Sequence, residues 1–154
     1  MKNKNSLKND TRRFIGKIRE IRKRFRKVDL SLPGGCENEI AKLFPELNRE
    51  SGALYDFVDP NSGQKYEMKK TKDDRLQSWI DPIKFINLKM EDRKIIFRFV
   101  KYKKTGVCEY YVDTKLGEII DAFVTDEMIS LAKRAKKLFP KRSEFQFKLN
   151  IKLR

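Results

Sequence analysis

Between positions 145 and 153 every second residue is apolar: Phe145, Phe147, Leu149, Ile151 and Leu153 alternate with Gln146, Lys148, Asn150 and Lys152. Successive side chains on a strand point to opposite faces, so a period of two specifies a strand with one face buried and the other wet. Such a strand needs partners. Residues 54–59 and 64–70 supply two, joined through Pro60-Asn61-Ser62-Gly63, whose residue types each favour a turn. Residues 95–101 and 107–112 read as two more strands around Lys103-Lys104-Thr105-Gly106.

Other stretches carry a helical period. Phe14, Ile18, Ile21, Phe25 and Val28 recur at steps of three and four among Arg and Lys, which predicts a basic amphipathic helix over 11–28. The polar first ten residues read as a frayed end. Leu32-Pro33-Gly34-Gly35 ends that region, and Ile40, Leu43, Phe44 and Leu47 predict a second helix with Glu37 and Glu39 at its start, where the helix dipole favours acids. Residues 72–78 read as irregular. Asp81 before Pro82 predicts a capped helix reaching about residue 91, and Thr125 before Asp126 and Glu127 another running to about residue 139. The expected class is α+β, a central mixed β-sheet flanked by helices, in one domain over 1–154.

Thirty-seven Lys and Arg against twenty-two Asp and Glu give a net charge of +15, which steers the molecule to polyanions, DNA or RNA first. With 39% hydrophobic residues the chain still builds a core. No apolar run approaches the ~18 residues of a membrane span, and the N-terminus lacks the apolar region of a signal peptide, so a cytoplasmic protein with no membrane partner is expected. Histidine is absent, which removes Ser-His and Cys-His nucleophile chemistry. Cys36 and Cys108 have no CxxC spacing and read as small buried residues or free thiols. If the chain is an enzyme, its catalysis falls to carboxylates, lysine and a hard metal ion.

The stretch YDFVDPNSGQKYEMKK, residues 55–70, holds those groups. On a strand Glu67 and Lys69 share a face, and the hairpin can bring Asp56 beside them. Two converging carboxylates can hold Mg²⁺ through oxygen, and an adjacent ammonium can stabilise a phosphate. Acid-x-Lys also occurs at Asp92–Lys94 and Asp113–Lys115, and Asp81 precedes Asp92 by the same eleven positions that separate Asp56 from Glu67. What distinguishes the first is the turn that folds the chain back between its acids. The residues alone leave two readings, a metal site and a solvated hairpin.

Asp56, the turn ending in Gly63-Gln64, and Tyr66-Glu67-Met68-Lys69 resemble the motif of the PD-(D/E)xK nuclease superfamily, most of all the PvuII type of restriction endonuclease, whose motif runs D, a polar turn, G-Q-x-Y-E-x-K. In outline the resemblance extends to the Gly34-Gly35 and Asp81-Pro82 helices and the C-terminal strand. It implies a restriction-endonuclease-like fold and Mg²⁺-dependent cleavage of double-stranded DNA by a homodimer. Asp56 and Glu67 would be metal ligands, the Met68 carbonyl a further ligand, and Lys69 the catalytic lysine. The Asp56–Glu67 spacing is one residue longer than in that pattern, and Arg75-Leu76-Gln77-Ser78-Trp79 stands where it has a histidine-rich segment.

The expectation is therefore a type II restriction endonuclease acting on a short palindromic site, with a companion DNA methyltransferase encoded nearby and the basic region 1–30 used in dimerisation. A structure-selective nuclease (junction resolvase or repair nickase) and a non-catalytic nucleic-acid-binding protein are the alternatives. Lys70, Arg75, Gln77 and Ser78 are candidates for base contacts just beyond the site strand. Lys103 and Lys104, with Lys133, Arg134, Lys136 and Lys137, are candidates for phosphate contacts. Trp79 beside Ile80 reads as a core anchor, and Glu50, Glu37 and Glu39 read first as surface acids, with an auxiliary carboxylate at the site as the alternative.

Overall fold

The computed structural model of the chain describes residues 11–13, 17–20, 29–31, 37–50, 52, 54–72, 75–86, 88–141 and 147–152. Its centre is a six-stranded mixed sheet. The strands, in chain order, are β2 (Lys17–Glu20), β3 (Asn48–Arg49), β4 (Phe57–Val58), β5 (Lys65–Thr71), β7 (Ile96–Tyr102) and β8 (Cys108–Lys115), and across the sheet they run β2-β8-β7-β5-β4-β3. β5 and β7 are parallel, and every other neighbouring pair is antiparallel. A second sheet joins β1 (Thr11–Arg13), β9 (Phe147–Lys152) and β6 (Arg75–Ile80) in the order β1-β9-β6. The class is α+β, a mixed sheet flanked by helices, as the sequence implies.

Alternation along the central strands sorts side chains into two apolar layers. On one face, α1 (Glu37–Leu43) brings Ile40 and Leu43 onto Phe57, Met68, Val100 and Tyr102, all buried. On the other, Ile119 and Phe123 of α2 (Leu116–Phe123) and Met128 of α3 (Asp126–Leu138) close over Phe99, Tyr110 and Val112. Burying a side chain of this size contributes about 1.5–3 kcal/mol, so the two layers fix the central strands between them.

The hairpin forms as the turn residues require. Asp59 N–H donates to the Gln64 carbonyl and Gly63 N–H to that of Asp59, both at 2.8 Å, while the Asp59 carboxylate accepts from Asn61 N–H. Gly63 sits at φ +73°, where a Cβ is strained. Gln64 then donates from its side-chain amide to the Lys94 carbonyl at 2.9 Å, tying the hairpin to the approach of β7. α3 starts where Thr125 caps it, its hydroxyl accepting from Met128 N–H.

Three expectations are corrected. In place of a helix over 11–28, residues 11–13 and 17–20 are strands, each in a different sheet; 21–28 lie outside the described residues, as do Leu32 to Cys36. Gly16 weakens a helix there by about 1 kcal/mol, Ile15 and Ile18 are β-branched, and β8 offers a full ladder of partners, so pairing outweighs the amphipathic period. The stretch expected to be irregular holds β6, drawn into register by the alternating strand β9. The helix expected from Asp81 stops after a single 3-10 turn, Pro82–Phe85: Asp81 caps it by accepting from Ile83 N–H at 3.0 Å, and a second short turn, Asp92–Lys94, precedes β7.

Candidate metal and phosphate site

Asp56 lies at a slip in strand pairing. Phe57 pairs with Tyr66, yet Asp56 N–H also donates to the Tyr66 carbonyl, at 2.8 Å, so two residues of one strand oppose one of the other. This is bulge geometry, which re-aims side chains, and it takes up one residue between Asp56 and Glu67. The Asp56 carboxylate hydrogen-bonds that of Glu67, and the Lys69 ammonium sits 2.8 Å from Glu67 Oε1. The expected trio is thus brought together. It stands on the sheet face that carries α2 and α3, since Glu67 and Lys69 pair in register with Phe97 and Phe99, and Met68 between them points into the opposite layer.

The trio sets two carboxylates beside one ammonium in a partly buried position. Burial pushes the Glu67 carboxyl up to about 7; Lys69 opposes this, and the Asp56 carboxylate adds to it. Two neighbouring carboxylates present oxygen atoms of the kind that can ligate a hard cation. A third oxygen lies on the same edge. The Tyr66 carbonyl faces Asp56, and carbonyls alternate along a strand, so that of Met68 faces the same way. Hard oxygen donors of this kind suit Mg²⁺. Among the described residues no group of three or more His, Cys, Asp or Glu side chains that could hold a metal ion gathers.

Glu50 is a neighbour that the sequence only hints at. Its N–H donates to the Asp56 carbonyl at 3.0 Å, extending the β3–β4 pairing and setting Glu50 across from Asp56. Glu39 is committed elsewhere, to Lys42 at 2.7 Å and to Asp29 N–H; Glu37 stands at the start of the same helix.

The remaining candidates divide. Lys70 turns to the α1 face, away from Glu67 and Lys69; its ammonium donates to the Leu30 carbonyl at 2.9 Å and lies over the Tyr102 ring. Arg75, Gln77 and Ser78 lie on β6, in register with Lys152, Asn150 and Leu149 of β9. Lys103 and Lys104 are exposed at the β7–β8 turn, and Lys133, Arg134, Lys136 and Lys137 are exposed along α3.

Behind the site, and missed in the sequence, Arg98 is buried opposite Met68 and forks onto Asp113 at 2.8 and 3.0 Å. Its guanidinium carbon lies 4.3–4.8 Å from the ring centres of Tyr111, Phe44 and Tyr66. Burial works against its charge, but the Asp113 hydrogen bonds overcome that and hold it above its usual value. The Asp113–Lys115 triplet therefore belongs to a structural ion pair. Cys108 is a buried thiol pushed up to about 12 by burial and is unsuited to nucleophilic chemistry.

Among the described residues no helix is long and apolar enough to cross a membrane. No family model matches the chain, and no curated protein or solved structure matches it either.

Proposed function

We propose that this chain is a Mg²⁺-dependent nuclease with a restriction-endonuclease-like fold, hydrolysing phosphodiester bonds in double-stranded DNA. Within that class we read it as a type II restriction endonuclease that works as a homodimer at a short palindromic site, alongside a methyltransferase that protects the same site. The observation that carries the reading is the Asp56–Glu67 carboxylate pair, sharing a hydrogen bond with the Lys69 ammonium 2.8 Å away.

Asp56, Glu67 and the Met68 carbonyl would hold the metal. When bound, Mg²⁺ supplies a lowered water pKa and neutralises charge on the phosphate. The protein's own residues do the rest. The bulge at Asp56 and the buried Met68 fix the donors before substrate arrives, and the partly exposed Lys69 offers a positive charge to a phosphate oxygen as negative charge develops there.

The test is plasmid incubated with Mg²⁺ or with EDTA. Discrete fragments with Mg²⁺ alone support the reading; nicked circles point to a structure-selective nuclease, and intact plasmid to a binding protein. Asp56→Ala, Glu67→Ala and Lys69→Ala should each lower cleavage by orders of magnitude. In metal-free buffer the two carboxylate variants should bind duplex at least as tightly as the parent, because a negative charge facing phosphates is gone. Cleavage that persists in EDTA, or in Glu67→Ala, overturns the assignment.

A further inference from the structure

A cavity of about 270 Å³ opens where the turn of the hairpin meets the approach to β7. Ser62, Gly63 and Lys65 line it from the hairpin, and Glu91 and Lys94 from the approach. Gln64 ties the two sides together: its side-chain amide donates to the carbonyls of Lys65, at 3.0 Å, and Lys94, at 2.9 Å. A Cβ on Gly63 would meet no atom within 4 Å, which leaves the hairpin side open.

In a chain with thirty-seven Lys and Arg, exposed lysines by themselves single out nothing. Lys65 and Lys94 differ in that both are exposed and both line one cavity, whose walls Gln64 holds together. Lys42, Lys69 and Lys101 each hold a carboxylate. The Lys65 ammonium instead lies 4.7 Å from the centre of the Tyr55 ring. A ring face attracts a cation without neutralising it, so this charge stays available to an anion. The Ser62 hydroxyl accepts from Gln64 N–H at 3.2 Å and keeps its own proton to donate. Glu91 is the acid in the lining, and its side chain makes no capping bond to the short turn that follows it.

The cavity also adjoins the candidate metal site. Tyr55 immediately precedes Asp56. Lys65, Glu67 and Lys69 alternate along β5 and so share one face, spaced about 7 Å apart at a rise of ~3.3 Å per residue. Lys65 thus belongs both to the cavity and to the face that carries the site.

Resting on the nuclease reading, we propose that this cavity seats a second phosphate of the bound DNA: Lys65 and Lys94 together hold the backbone phosphate next to the one set against Glu67 and Lys69. The Ser62 hydroxyl donates to one of its oxygens, and Glu91 opposes it. Such a contact carries no sequence information; it fixes where the strand lies, and with it which phosphodiester meets the metal.

A mixed-sequence 20-bp duplex carrying a fluorophore is titrated with the full chain in EDTA, and its anisotropy is followed from 0.05 to 0.3 M salt. Two lysines on one phosphate neutralise one charge. Lys65→Gln/Lys94→Gln should therefore lower the slope of log affinity against log salt by about one, whereas two independent contacts would lower it by about two. The affinity lost in the double variant should be smaller than the product of the two single losses, because both lysines act on the same group. Glu91→Gln should bind the duplex more tightly than the parent, since a negative charge leaves the seat. A slope lowered by about two with independent losses, or an unchanged slope, overturns the seat and leaves the nuclease reading to its own test, cleavage in Mg²⁺. If the parent without duplex broadens the phosphorus NMR line of inorganic phosphate and the double variant does not, the ligand is a free phosphate and the DNA assignment is overturned. Absence of any duplex binding, together with no cleavage in Mg²⁺, overturns both readings.

Discussion

Glu67 and Asp113 begin alike in the sequence, each an acid two positions before a lysine, and the fold gives them opposite work. Glu67 is more readily protonated in the folded chain, near pH 7, than in the unfolded one, near 4.5, so without metal the native state holds the extra proton between those values. Stability should then fall as pH rises through that window. Melting the EDTA-treated protein at pH 5 and pH 8 should show the loss, about 2 kcal/mol after discounting for water still reaching the carboxyl, and Glu67→Gln should abolish it. Added Mg²⁺ should recover more stability at pH 8 than at pH 5, because it binds the ionised carboxylates. Asp113→Ala, in contrast, leaves the Arg98 charge buried without its fork and should cost about 3–5 kcal/mol by chemical denaturation. It cannot serve as a neutral control for the triplet. Asp92→Ala can, since the Asp92 carboxylate accepts from Lys89 N–H at 3.2 Å in an exposed turn, and the variant should stay within about 0.5 kcal/mol of the parent. The trio Asp56, Glu67 and Lys69 was legible because a turn lies between the acids. The Arg98–Asp113 pair was not, since fifteen residues and a strand register separate its members.

Elements were legible where local chemistry and tertiary pairing agree. The hairpin, β7, β8, α1, α3 and β9 all lie where turn residues, caps or alternation predict them. α2 was overlooked although Leu116, Ile119, Ile120 and Phe123 have helical spacing and Glu118 reaches back to Lys115 N–H at 3.3 Å; it follows β8 with no loop to mark its start. At the N-terminus the helical period is real, and the ladder offered by β8 outweighs it. The two turn glycines show the same interplay of backbone and context. Gly63 and Gly106 both have positive φ, +73° and +86°, but a Cβ on Gly63 meets open space, whereas one on Gly106 would run into the Asp29 carboxylate. Gly63→Ala should therefore cost about 1 kcal/mol, and Gly106→Ala should cost more, up to about 3 kcal/mol, in the same denaturation measurement.

At the scale of the whole molecule the net charge of +15 acts on two equilibria in opposite directions. Added salt screens repulsion within the chain and between copies, and it weakens the counterion-driven attraction to DNA. One Asp56–Glu67–Lys69 site faces one phosphodiester, so cutting both strands of a short palindrome in a single encounter needs two copies related by a two-fold axis, each reading half of the site. Within the N-terminal stretch the described residues 11–13 and 17–20 are strands paired into the two sheets, so they do not themselves form a helical stripe for that contact. The symmetry argument remains, and it predicts a dimer whose self-association tightens with salt while its hold on DNA loosens. Light scattering at micromolar protein should give twice 18.4 kDa, with a larger dimer fraction at 0.3 M than at 0.05 M salt, because the shorter screening length weakens repulsion between the basic copies. A monomer at every salt concentration that still converts plasmid directly to linear fragments overturns the dimer and, with it, the two-fold reading of the site.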